Sequence, residues 1–117
     1  MSHSSPQPAA AYVRYSSEMQ SDSFSLEAQE QQIRRRAEQD DNEIVVVYAD
    51  SAESAYRKKY RPGIKEMLEG AEAGLFDYLY VHKLDRLARR LEWVIEIVKE
   101  LQEYDVKLKS AEQNFDI

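Results

Sequence analysis

Four short stretches of mostly apolar residues recur along the chain, each rich in β-branched or aromatic side chains. They are AAYVRYS from Ala10, EIVVVYAD from Glu43, FDYLYVHKL from Phe76 and a weaker VKLKSA from Val106. Near-continuous apolar runs of this length are typical of strands that are buried on both faces of a parallel sheet. The pattern therefore predicts four strands.

Amphipathic patterns of helical spacing lie between these stretches. The first helix is expected to follow Ser25 as its N-cap, the second to run from Pro62 towards Gly74, and the third to follow Asp85 as its N-cap. Their core-facing positions are predicted to be Leu26, Gln29, Ile33 and Ala37, then Ile64, Met67, Leu68 and Ala71, then Leu87, Leu91, Val94, Val98 and Leu101. The alternation predicts an α/β domain whose mostly parallel sheet has four to five strands and helices on both faces.

Length and composition narrow the function classes. A chain of 117 residues fits one domain, and the absence of cysteine rules out disulfides and thiolate metal sites. Two histidines leave little material for a histidine-based metal site or a Ser-His-Asp triad. The leader MSHSSPQP has no apolar core, so residues 1–8 are expected to form a disordered tail rather than a signal peptide. No apolar run is long enough to span a bilayer, which favours a cytoplasmic protein with no membrane partner.

The charge distribution changes what the net charge suggests. A formal charge of −6 argues at first against nucleic acid. Between Ser51 and Arg90, however, there are nine basic and six acidic residues, so this segment has a net charge of +3 and the remainder of the chain a net charge of −9. A local basic cluster focuses potential at a cleft whatever the total charge, although many such runs are simply solvated faces.

Polar residues follow the predicted strands in a way that indicates a site. In open α/β sheets, ligands bind beyond the carboxyl ends of the strands. Ser16 and Ser17 follow the first strand, Asp50 and Ser51 end the second, and KLDRLARR follows the third. Glycine-rich phosphate loops are absent, but a hydroxyl among arginines suits attack on a phosphodiester. Arg14 and Ser16, two apart on a strand, project to the same side.

The ordered set YVRYSSEMQ, SLEAQEQQIR, RPGIKEML and FDYLYVHKLDRLARR resembles the catalytic domain of the serine recombinases, the resolvase–invertase family. The resemblance spans about Ala10 to Ile117. The long segment SSEMQSDSFSLEAQ is more similar to the large serine recombinases, the phage integrases and related transposases, than to compact resolvases. The implied activity is site-specific DNA recombination, in which a serine cleaves and rejoins DNA through a 5′-phosphoseryl link without metal or ATP.

The resemblance also implies roles for individual residues. Ser16 would be the nucleophile, with Ser17 only a turn hydroxyl. The groups around the scissile phosphate would be the arginines Arg14, Arg61, Arg86 and Arg89, organised by Gln29 and Asp85 and supported by Asp77. The residues expected to contact DNA are Arg57, Lys58, Lys59, Lys83 and Arg90.

The resemblance further implies how the chain is organised and assembled. Residues 9–117 would form the catalytic domain, and the family's dimerisation helix and DNA-binding domains would lie beyond this chain. Double-stranded recombination sites would be the partner, with a dimer or tetramer of the full-length protein and a monomer or weak dimer of this fragment. No cofactor is expected.

Simpler interpretations of the same residues remain open. The alternatives are that Ser16 is a turn residue, Gln29 a surface amide, Asp85 a cap only, and Arg14 an ion-pair partner of Asp50 or Asp85. The segment YRKKYR, from Tyr56, is equally consistent with a mobile charged loop. Two other functions also remain: a receiver-like signalling domain, which would need paired acids after the first strand, and a catalytically inactive recombinase relative that assembles on DNA.

Overall fold

The computed structural model describes residues 6–15, 26–51 and 61–112. All four predicted strands are present in one sheet, whose order is β2-β1-β3-β4 and whose pairings are all parallel. The strands are β1 (Gln7–Tyr15), β2 (Asn42–Ser51), β3 (Tyr78–Val81) and β4 (Lys107–Ser110).

The first strand begins earlier than the sequence pattern suggested. Gln7 and Pro8, which were assigned to a tail, belong to β1 and pair with the beginning of β2. Proline is tolerated there because it is close to the first residue of the strand. The carbonyl of Pro8 also accepts a hydrogen bond from the backbone N–H of Asp77 (2.9 Å), so the strand is anchored to the residue that precedes β3.

Helices cover both faces of the sheet, as predicted. Helix α1 packs on one face through Ile33 and Ala37, whereas α2 and α4 pack on the other face against Tyr12 and Leu79 of the sheet. None of the helices in the described ranges is long and apolar enough to cross a bilayer. The helices are α1 (Leu26–Gln39), α2 (Pro62–Glu72), α3 (Leu84–Leu87) and α4 (Leu91–Glu103).

Helices α1 and α2 largely confirm the predicted core positions. Helix α1 buries Gln29 with its apolar stripe, but Leu26 is exposed at the first helical position. All four predicted core residues of α2 are buried, and the chain leaves that helix through Gly74, whose φ of 77° favours glycine. The expected cap Ser25 lies outside the described residues.

The third predicted helix is wrong as a single element, because it is two helices separated by residues 88–90, of which Ala88 and Arg90 are extended. Ala88 has φ −162° and ψ 155°, and Asp85 lies inside the first turn of α3 rather than at its cap. In a continuous helix the carbonyl of Leu87 would accept the N–H of Leu91, but Arg61 Nη2 donates to that carbonyl instead. Leu91 is consequently 70% exposed, and α4 buries Val94, Ile97 and Leu101.

Candidate active site

The carboxyl edge of the sheet brings together the basic residues that the sequence pointed to. Arg14, near the end of β1, lies beside Asp50 in the register of β1 and β2. Arg61 immediately precedes α2, and Arg86 lies in α3, directly after β3. Both are near enough for their charges to lower the pKa of Arg14. Ser16 and Ser17 lie outside the described residues.

Arg14 is a buried cation that forms no ion pair within the described part of the chain, although the more distant charge of Asp85 raises its pKa. Its side chain is 4% exposed, and its Nε and Nη1 atoms find no hydrogen-bond partner in the described part of the chain. Burial lowers its pKa most, followed by the charges of Arg86 and Arg61. A buried guanidinium is costly unless it is paired, so this arrangement favours an anionic ligand.

An ion pair of Arg14 with Asp50 or Asp85 was the simpler expectation, and it is wrong. The carboxylate of Asp50 is already occupied by Tyr12, Arg61 and the first amides of α2. Asp85 is exposed and forms no ion pair with Arg14 within the described segments. Arg86 resembles Arg14 in one respect: its buried Nε also has no hydrogen-bond partner among the described groups.

A buried network of three side chains fixes the neighbourhood of Arg14. Tyr12 Oη donates to Asp50 Oδ2 (2.8 Å) and accepts from Arg61 Nε (3.2 Å) and Nη2 (2.9 Å). Arg61 Nε also lies 3.7 Å from Asp50 Oδ2, and Arg61 is completely buried. Burial raises the pKa of Tyr12 far above its ordinary value, so the phenol remains a donor to Asp50. The Arg61 contact with the Leu87 carbonyl extends the network to α3.

Asp50 also acts as the cap of α2, although it lies in another element. The residue at the N-cap position, Arg61, makes no side-chain cap. Asp50 instead accepts hydrogen bonds from the backbone N–H groups of Gly63 (Oδ1, 2.8 Å) and Ile64 (Oδ2, 3.0 Å). These two amides would otherwise be unsatisfied, and a carboxylate complements the positive end of the helix dipole. Asp50 therefore links the end of β2 to the start of α2.

Substituting Gly63 by alanine should destabilise the domain by about 1–3 kcal/mol, because it overpacks a site that cannot relax. A Cβ there would lie 2.5 Å from the carbonyl oxygen of Ala49 and 2.6 Å from Asp50 Oδ2. Urea unfolding measures the loss. Gly70→Ala is the matched control in the same helix, since its new methyl would meet mainly the Tyr48 hydroxyl at the tip of a side chain. Equal losses in the two variants would contradict the assignment.

Gln29 is buried against the end of β1, so the alternative interpretation as a surface amide is wrong. Its side chain is completely buried, and its Nε2 donates to the carbonyl of Arg14 (3.0 Å). Its Oε1 has no hydrogen-bond partner in the described ranges. The amide thus fixes the backbone of β1 two residues before Ser16 and leaves one acceptor unused.

Other predicted residues lie at the margin of this edge. Arg89 and Asp85 are exposed next to the buried cluster. Lys83 pairs with Glu112 (3.5 Å), and Arg90 pairs with Glu92 (3.0 Å). The guanidinium of Arg90 also lies over the ring of Trp93, 5.3 Å from its centroid. Arg57, Lys58 and Lys59 lie outside the described residues.

Asp77 is not brought to the site. It is exposed and precedes β3, where its backbone N–H binds Pro8 at the amino end of β1. Six residues of strand separate Pro8 from Arg14, which is roughly 20 Å. Asp77 therefore lies at the opposite edge of the sheet from the arginines.

Two residues of the network, Tyr12 and Asp50, were not among the predicted site residues. The signal for Tyr12 was present, because Tyr12, Arg14 and Ser16 alternate along one strand and should project to one side. Asp50 was recognised as a strand-end residue and as a partner for Arg14. Its role as the cap of a helix that begins twelve residues later depends on tertiary structure.

Comparisons with known proteins agree on one family. The family model described as the resolvase N-terminal domain matches residues 9–117. The transposon Tn552 resolvase of Staphylococcus aureus is 42% identical over 57 residues, which cover 49% of this chain and 28% of that protein. The chain therefore matches less than a third of the length of that relative.

Solved structures give the same result. The N-terminal catalytic domain of TP901-1 integrase superposes with a TM-score of 0.80 at 26% identity, covering 94% of this chain and 81% of that one. A resolvase family site-specific recombinase from Streptococcus pneumoniae gives a TM-score of 0.77 at 28% identity, covering 94% and 75%.

Proposed function

The chain belongs to the resolvase family, and from that premise we propose that residues 9–117 are the catalytic domain of a site-specific serine recombinase. The substrate is a phosphodiester of double-stranded DNA. The observation that carries the proposal is Arg14, a buried guanidinium with two unpartnered nitrogens among the described groups, two residues before Ser16. Such a cation suits an anion that arrives from outside the domain.

The proposed reaction exchanges one phosphodiester for another. The Ser16 oxygen attacks the phosphorus and loses its proton, the bond from phosphorus to the 3′ oxygen breaks, and that oxygen takes up a proton. The products are a 5′-phosphoseryl link and a free 3′-hydroxyl. Attack of a 3′-hydroxyl on the phosphoseryl link reverses the step and rejoins DNA. Because one ester replaces another, no external energy source is required.

The buried and half-buried arginines have different roles in the proposed reaction. Arg14 and Arg86, with unpartnered Nε atoms in the described part of the chain, stabilise the non-bridging oxygens as their charge increases. Arg61 already binds Tyr12 and the Leu87 carbonyl, so it positions α3 and thereby Arg86. Gln29 fixes the end of β1 through the Arg14 carbonyl. Arg89, exposed beside them, faces the arriving DNA backbone, and the negative charge of Asp85 helps to keep Arg14 protonated.

The wider partners follow from the same proposal. Arg57, Lys58, Lys59, Lys83 and Arg90 would contact DNA phosphates, which are neutralised by basic side chains. The full-length protein would act as a dimer or tetramer, and this chain alone would be a monomer or weak dimer. No role at the active site is proposed for Asp77, because it lies at the other edge of the sheet.

A receiver-like signalling domain is not favoured. Its sheet order is similar to the one observed here, so the fold alone does not discriminate. A receiver needs acidic residues after the first strand, whereas this chain has Arg14 and then serines. The family match supports the recombinase.

The function is tested by incubating the full-length protein with its recombination sites and looking for protein attached to DNA ends. The expected product carries protein on the 5′ end and a free 3′-hydroxyl, which a polymerase can extend. Attachment to the 3′ end, or cleavage without any covalent product, would contradict the proposal. Tight binding without cleavage would instead support an inactive assembly module.

Cleavage is expected to continue unchanged in excess EDTA. The reason is that arginines supply the positive charge at the phosphate, and no group of His, Cys, Asp or Glu in the described ranges is arranged to hold a metal ion. The rate of covalent attachment should remain within about twofold of that without chelator, a spread well below the ~10²–10³-fold effect of losing one catalytic donor. A restriction endonuclease that needs magnesium is the control for chelation. Loss of the cleavage step in EDTA would indicate a different phosphoryl-transfer chemistry.

A further inference from the structure

A groove between α2 and α4 is separate from the arginine edge and has no part in the proposed reaction. It encloses about 350 Å³ and is lined by Lys65, Leu68, Glu69, Glu72, Glu100 and Tyr104. Its floor is apolar, because Leu68 is 6% exposed and the ring of Tyr104 is partly buried against the core. Its rim is acidic. We call this feature the α2/α4 groove.

Carboxylates of both helices converge on the Tyr104 hydroxyl at the rim of this groove. Glu72 from α2 and Glu100 and Glu103 from α4 raise the pKa of Tyr104 in addition to burial, which is the largest cause. Tyr104 Oη donates to Glu100 Oε2 (3.4 Å). Three glutamates and one lysine line the groove, so its charged lining is net negative.

The ends of the two helices add to this negative character. Helix α2 ends at Glu72 and α4 at Glu103, and neither helix has a basic residue in its last turn. Helix carboxyl ends carry partial negative charge that lysine or arginine usually complements. This observation is independent of the side-chain cluster, and it too points to a cationic occupant.

We infer that the α2/α4 groove is a docking site for a basic amphipathic helix of a partner protein. Its apolar side would cover Leu68 and Tyr104, and its lysines or arginines would face Glu69, Glu72 and Glu100. Charge complementarity favours a basic partner, because the glutamates of the groove would repel DNA or an acidic peptide. A bare metal ion is not favoured, since the described residues contain no metal-binding arrangement of His, Cys, Asp or Glu.

The test uses the 117-residue chain, labelled with ¹⁵N, and two synthetic helical peptides. One carries leucine on one face and lysine on the other, and the second replaces every lysine by glutamate. The lysine peptide is expected to shift the amide signals of residues 68–72 and 100–104, and the glutamate peptide is not. Shifts confined to another surface, or equal binding of the two peptides, would overturn the inference.

Charge-neutral variants separate this site from a general charge effect. The double substitution Glu69→Gln and Glu72→Gln should weaken binding of the lysine peptide about five- to tenfold at low salt, as expected for two exposed ion pairs. The matched control is Glu38→Gln with Glu43→Gln, which removes two exposed carboxylates elsewhere. Equal weakening in both doubles overturns the inference, as does self-association of the chain through these amides without peptide. Covalent attachment to DNA should be unchanged in both.

Discussion

Replacing Ser16 with alanine in the full-length protein is expected to abolish covalent attachment to DNA ends. The substitution removes the only oxygen that the proposed mechanism joins to phosphorus, so the effect is a loss of product rather than a slower rate. The fold should be intact, because the substitution removes a single hydroxyl and none of the described core residues. Gel analysis of protein attached to labelled 5′ ends, alongside urea unfolding, measures both properties.

Ser17→Ala is the matched control for this prediction. Ser17 is one residue further along the sequence, and the Ser17→Ala variant should retain most of the activity. If the Ser16→Ala variant still formed the covalent adduct with DNA, another residue would have to be the nucleophile. Equal loss in the two variants would indicate that this segment requires both hydroxyls for its conformation. The control therefore separates the chemical role of Ser16 from the shape of the segment.

Replacing Arg61 with methionine is expected to destabilise the domain by about 3 kcal/mol. Methionine fills most of the volume but leaves Asp50 buried with only Tyr12 and the amides of α2 as partners. It also removes the donor to the Leu87 carbonyl. For a domain whose total stability is about 5–15 kcal/mol, such a loss is large. Urea unfolding followed by circular dichroism measures it.

Arg35→Met provides the control for Arg61→Met, because Arg35 is exposed on α1 and loses the same charge. Its effect should remain within ~0.5 kcal/mol. At a temperature where Arg61→Met is still folded, its cleavage rate should fall more than its DNA affinity, because Arg86 is displaced from the phosphate. Stability within the range of the control would contradict the buried network. Weakened binding with normal cleavage at saturating DNA would contradict the positioning role.

The strands and the arginine edge could be predicted from sequence because both depend on local pattern. Each strand is a short apolar run, and the rule that parallel strands present their carboxyl ends at one edge places Arg14, Asp50 and Arg86 together. The core faces of α1 and α2 followed from helical spacing in the same way. In each case, residues close in sequence carry the information.

The features that sequence analysis missed depend on residues far apart in the chain. The break after α3 occurs because the Leu87 carbonyl binds Arg61, twenty-six residues earlier. Periodicity alone continued the helix across Ala88 and placed Leu91 in the core. Gln29 was predicted to face the core, but its hydrogen bond to the Arg14 carbonyl was not predicted, because that carbonyl lies in another element. Asp77 was assigned to the site only through the family resemblance, and it lies at the amino end of β3, away from the arginines.

The central position of β1 has a consequence for how the domain folds. This strand comes first in the chain but lies between β2 and β3, and residues 9–12 are completely buried. Its pairing with β3 joins Ala9 to Tyr78, so a loop of almost seventy residues must close before that side of the strand is covered. Contacts between residues so distant in sequence slow folding, because chain entropy is lost before the contacts stabilise the structure. During synthesis, the segment AAAYV must therefore leave the ribosome and remain without its second neighbour until β3 has been made.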